Sequence, residues 1–98
     1  MAEARLEPVG NGLAAVTEGW FVVNAREAPW VERDGFGKRG RFELDGRLAA
    51  GTDYEPVHFD QLGITVTVLQ PGEPNGYYHG EAGQEDFLVL SGECIAIV

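Results

Sequence analysis

The chain is 98 residues long, the size of one small domain, and its 44% hydrophobic and 23% charged residues are a globular composition. Sixteen acids against seven bases give a formal charge of −9, which argues against nucleic acid and against an anionic membrane surface as partners. Fourteen Gly and five Pro leave little room for long helices.

Residues 1–7 lack the apolar centre of a signal peptide, and no apolar run approaches the length of a membrane span. The single cysteine, Cys94, has no partner for an internal disulfide, so a cytoplasmic location is expected. Its apolar neighbours predict a buried thiol rather than a nucleophile.

In chain order, Glu3 to Glu7 is too short for a stable helix and is interrupted by Pro8. Residues 19–24, aromatic and β-branched, predict a strand. Residues 24–31 hold a single helical turn before Pro29, or a loop. Residues 34–40 read as a flexible basic loop, 41–44 as an edge strand, and Asp45-Gly46 as a turn. From residue 56 the pattern sharpens. Over 63–70, Ile64, Val66 and Val68 fall on one face and Thr65, Thr67 and Leu69 on the other, the alternation of a half-buried strand. Residues 71–76 are a dense turn cluster, 77–79 resume extended chain, and 80–84 turn again. Residues 86–91 predict a strand, Gly92-Glu93 a tight turn, and 94–98 a further strand. Short strands joined by turn chemistry predict one all-β domain over 1–98, a sandwich or barrel.

Charge is unevenly placed. Residues 1–47 carry all seven bases and eight acids, whereas 48–98 carry eight acids and neither Lys nor Arg. Acids in the second half predict a solvated acidic face or a cationic partner: a metal, a basic segment downstream, or another subunit. The β-branched run at 94–98 predicts that the chain is the front part of a longer protein.

One constellation carries chemistry: His79, Glu81 and Glu85. His79 and Glu81 are two apart and share a face in extended chain, and Glu85 returns near them if 77–81 and 85–91 pair antiparallel. One imidazole with two carboxylates suits a divalent ion such as Fe, Mn or Ni rather than thiolate-bound zinc.

The stretch from Gly63 through Pro71-Gly72, Tyr78-His79-Gly80-Glu81 and Glu85 to Gly92 resembles the first conserved motif of the cupin superfamily, over residues 56–98. Three residues separate Glu81 from Glu85 and six separate Glu85 from Gly92, as that motif asks. Six lie between Gly72 and His79, one more than usual. Glu81 stands where the family has a second His, and the family's second motif is absent. The resemblance implies a cupin-like jelly-roll β-barrel, incomplete at its C-terminus, and the open edges of such a barrel predict a homodimer. It also implies a divalent metal ion (Fe, Mn, Ni or Zn) held by His79, Glu81 and Glu85, and a small molecule bound or acted upon in the barrel, with the reaction left open. A non-catalytic small-molecule binding or sensing module of the same fold is the alternative.

Other residues have plainer readings. His58 is a strand-entry histidine. Tyr77 and Tyr78 pack in the barrel or line a pocket mouth, and Trp20 and Trp30 belong to a core or an interface. Arg39 and Arg41 sit on a solvated loop, with anion binding as the alternative.

Overall fold

The computed structural model describes residues 1–77, Gly80 and 82–97. Strand β1 (Leu6–Val9) and strand β2 (Gly12–Ala15) form an antiparallel hairpin that pairs Leu6 with Ala15 and Val9 with Gly12. The Gly10-Asn11 loop is two residues, the length that lets paired strands keep their twist. Three further strands make a second antiparallel sheet in the order β3 (Trp30–Glu32), β4 (Lys38–Arg41), β5 (Thr65–Val68). One helical turn, α1 (Gly46–Ala49), and a 3-10 turn at Ala25–Glu27 complete the regular structure among the described residues.

The all-β expectation holds in this form: two small antiparallel sheets with little helix. They do not close into a barrel among the described residues. The 3-10 turn falls where a single turn before Pro29 was expected, with the Asn24 side chain accepting from the Arg26 N–H at 2.9 Å. Strand β5 lies inside the predicted 63–70.

Other elements differ. Glu3 to Glu7, too short for a stable helix, forms none; its last two residues instead open β1, where Pro8 sits in a hairpin strand. Of the predicted strand 19–24, only Trp20 is bridged, to Glu3, because Asn24 leads the chain out into the 3-10 turn. The basic segment 34–40 is not a loose loop. Phe36 N–H donates to the Arg33 carbonyl and Arg33 N–H to the Gly37 carbonyl, both at 2.8 Å, and the rest of the segment is β4. The predicted edge strand 41–44 consequently ends at Arg41. Asp45 caps α1 instead of forming a hairpin turn, its Oδ1 accepting from the Leu48 N–H at 2.9 Å.

The predicted strands 86–91 and 94–98 are irregular and exposed over their described residues. Leu88 is 83% exposed and Ile95 87%. A strand needs a neighbour for its backbone hydrogen bonds, and none of the described sheets supplies one there. Cys94, expected to be buried, is exposed with them, as is Trp20 at 52%.

The core is small. Val9, Ala14, Val16, Leu44 and Ala49 form a buried cluster, flanked by Leu48, Tyr54 and Val57. Leu44 is its largest member at 1% exposure, and its backbone is bridged to Val57. Total accessible area is 7932 Å², against roughly 5,500 Å² for a compact monomer of this mass. The radius of gyration is 14.6 Å, against about 13 Å for a compact domain of this length.

Asn11 fastens the hairpin to the second sheet. Asn11 Oδ1 accepts from the Trp30 N–H at 2.8 Å, and Asn11 Nδ2 donates to the Trp30 carbonyl at 2.9 Å. Beside it, a Cβ on Gly12 would lie 2.4 Å from the Ala28 carbonyl carbon and 2.5 Å from its oxygen, so only glycine permits this approach.

Three stability outcomes follow, all read by urea denaturation. Leu44→Ala should lower stability by about 2–5 kcal/mol, since alanine neighbours cannot collapse into the vacated space. Gly12→Ala should cost about 1–3 kcal/mol by overpacking against backbone. Gly46→Ala, in open space at the start of α1, should be neutral or stabilising by up to about 1 kcal/mol.

Candidate functional site

Strand β4 is the most basic element of the chain, and its pairing sorts its side chains. Arg39 lies opposite Thr67 and Arg41 opposite Thr65, with Val31 opposite Arg39 on the other side. Facing partners share a side of the sheet, so Arg39, Arg41, Thr65 and Thr67 occupy one face. Lys38 projects to the other face, where its Nζ stands 5.6 Å from the centroid of the Trp30 ring.

On the arginine face the turn after β5 folds back onto the β3–β4 connection. Arg39 Nη2 donates to the Asn75 carbonyl at 2.7 Å and to its Oδ1 at 3.2 Å, and Arg33 Nη1 donates to the same carbonyl at 3.0 Å. Glu73 fastens the other side of the turn, its Oε1 accepting from the Gln70 N–H at 2.7 Å and its Oε2 from the Gly37 N–H at 3.2 Å. Arg33 also stands 5.1 Å from the centroid of the Phe36 ring, and Phe36 meets Tyr77 edge-on at 5.0 Å. Two guanidinium groups, two aromatic rings and an asparagine carbonyl thus converge at the segment that leads into residue 79.

The electrostatics are unbalanced. Arg41 has Asp45 at 3.7 Å. No carboxylate among the described residues lies within ion-pair distance of Arg33 or Arg39. Burial, then repulsion from Arg33 and Arg41, holds the Arg39 guanidinium below its ordinary pKa, although an arginine stays charged at neutral pH. Its Nε is buried with no hydrogen-bond partner among the described residues.

Of the three predicted metal ligands, Glu85 is described. It is exposed and lies on irregular chain, flanked by a contact from Gln84 Nε2 to the Asp86 carboxylate at 3.0 Å. His79 and Glu81 lie outside the described residues, as does Tyr78. Among the described residues no three His, Cys, Asp or Glu side chains gather as a metal site. His58 lies 3.3 Å from Glu43, whose other oxygen accepts from the Phe59 N–H at 2.9 Å, so its contact pins the 58–59 segment. Tyr77 is 79% exposed. Two open depressions lie near Lys38. One of about 240 Å³ is walled by Glu32, Arg33, Asp34 and Glu73, and one of about 280 Å³ by Arg26, Trp30, Lys38 and Val68. No helix among the described residues is long and apolar enough to cross a membrane.

The sequence pointed to Arg39 and Arg41 but missed Arg33 and Asn75. The alternation of Arg39 and Arg41 about Gly40 was a strand signal hidden by the flanking glycines, whereas Asn75 lies 36 residues from Arg39 and gives no local sign.

No family model matches the chain, and the searches of curated proteins and of solved structures returned no match.

Removing the Glu73 carboxylate should release both amides it holds. Glu73→Ala is expected to speed hydrogen exchange at Gly37 and Gln70 roughly fivefold, the value of about one hydrogen bond, while leaving the Asn11–Trp30 amide protected.

Proposed function

We propose that residues 56–98 are the metal-bearing part of a small cupin-like barrel that binds a divalent ion through His79, Glu81 and Glu85 and binds or acts on a small molecule there. The observation that carries this reading is the motif spacing together with the backbone at its glycines. Gly72 and Gly92, the two glycines that bracket the motif, both have φ of +83°, a conformation that side-chain-bearing residues rarely adopt. Strand β5 ends just before the first of them. The donor set suits the ion: one imidazole nitrogen and two carboxylates favour Fe, Mn, Ni or Zn in an oxygen-rich shell.

When bound, the ion supplies Lewis-acid polarisation or activation of an oxygen ligand at an open coordination position. The chain's own contribution is positional. Arg33 and Arg39 hold the backbone at Asn75, four residues before His79, and thereby fix where the ligand-bearing segment begins. The apolar side chains exposed between 87 and 97 support pairing of this region with a second copy, the homodimer expected of open strand edges. A cytoplasmic location belongs to the same proposal and rests on the lone cysteine.

A second reading is a non-catalytic small-molecule binding or sensing module. It is favoured by the arginine cluster, which offers hydrogen-bond donors that need no metal.

Elemental analysis of protein purified without chelator should find near-stoichiometric divalent metal that falls sharply in His79→Ala. Less than about a tenth of an ion per chain, unaltered by that substitution, would remove the metal reading. Ligand-induced thermal stabilisation that survives EDTA would favour the second.

A further inference from the structure

A chain with 16 acids and seven bases has ample carboxylate to neutralise every cation. Among the described residues it nevertheless leaves two half-buried guanidinium groups with only neutral hydrogen-bond acceptors. Arg33 and Arg39 converge on one carbonyl oxygen, at 3.0 and 2.7 Å, beside a third arginine on the same sheet face. Like charges gathered this closely repel one another, and although Arg41 pairs with Asp45, no carboxylate among the described residues lies within ion-pair distance of Arg33 or Arg39. The Asn75 contacts engage Arg33 through Nη1 and Arg39 through Nη2, while the buried Nε of Arg39 has no acceptor among the described residues. Thr65 and Thr67 flank the arginines on β5, and Phe36 and Tyr77 provide apolar surface at the edge.

We infer that Arg33 and Arg39, with Arg41, Thr65 and Thr67 beside them, form a binding site for the carboxylate of a small monoanionic ligand. Planar guanidinium forks match the two oxygens of a carboxylate. The surrounding charge selects for a monoanion: a molecule with a net charge of −9 repels nucleic acid, acidic peptides and multiply charged phosphates far more than one carboxylate. The aromatic pair suits an organic body attached to that carboxylate. Identifying this carboxylate as the ligand of the proposed metal-bearing barrel rests on the preceding reading. The arginine site itself does not require a metal.

The test titrates benzoate into the full chain at fixed ionic strength in the presence of EDTA, read by NMR at the arginine Nε–H groups and the backbone amides, with inorganic phosphate and chloride as comparison anions. Saturable shifts are expected at Arg33, Arg39 and Gly76, whose N–H belongs to the same peptide as the Asn75 carbonyl held by the arginines, with benzoate bound more tightly than phosphate. Arg33→Gln and Arg39→Gln should each weaken binding roughly tenfold, the loss of one charge-assisted contact. Arg39→Lys should recover part of the loss, and Arg47→Gln, an exposed cation on α1, should change nothing. Amide dispersion checks that each variant is folded. If Arg39→Gln unfolds, Arg33→Gln and Arg39→Lys still decide the matter. No saturable shift, equal loss in Arg47→Gln, indifference to Arg33→Gln, or tighter binding of phosphate would each overturn the inference. Metal content separates the two proposals: benzoate binding in a protein that takes up no metal sinks only the metal reading, and a metal-loaded protein indifferent to benzoate sinks only this one.

Discussion

The two hydrogen bonds between the Asn11 side chain and the backbone of Trp30 hold the architecture together. A primary amide carries a donor and an acceptor side by side, so one asparagine at a hairpin loop can occupy both main-chain groups of a residue that begins a strand. Gly12 lets the hairpin approach closely enough for this. Trp30 in turn donates from its indole Nε1 to the Ala25 carbonyl at 2.9 Å and lies beneath Lys38. The hairpin, the 3-10 turn and the three-stranded sheet meet at this residue, and the position of β4, with its arginines, follows from it.

Apolar burial contributes less than the length of the chain would suggest. The buried hydrophobic residues described are mostly alanines, which bring little area each, and Leu44 is the main bulky side chain among them. Polar fastenings therefore join the sheets to the long connections: Glu43 to residues 58–59, Glu73 to Gly37 and Gln70, Arg33 and Arg39 to Asn75. Such contacts are directional and fix geometry more than they add stability.

The same arrangement organises charge. The bases all fall in residues 1–47, and pairing β4 with β5 brings the arginines of that half against the first residues of an acidic, base-free half. Arg33 and Arg39 meet that half through the carbonyl oxygen of Asn75, while its Glu73 carboxylate takes the Gly37 N–H instead. The segment it steadies is the one that leads to His79, which links the arginine cluster to the proposed metal-bearing motif.

The sequence by itself determined what depends on near neighbours. The alternation of Thr65, Val66, Thr67 and Val68 specified a strand, and Pro29 confined the preceding helix to one turn. The glycine content narrowed the fold class. It was misread wherever a residue has two local uses, as with Asp45, which caps a helix as readily as it opens a turn, and at 86–91 and 94–97, where β propensity found no described neighbour to pair with. Only the tertiary structure decided which strands meet, that Arg33 and Arg39 share one acceptor 36 residues from Arg39, and that Asn11 clasps Trp30 across 19 residues. The reason is physical. Backbone preference and side-chain periodicity are set by adjacent residues, whereas pairing, burial and the balance of charge depend on what lies opposite once the chain has folded.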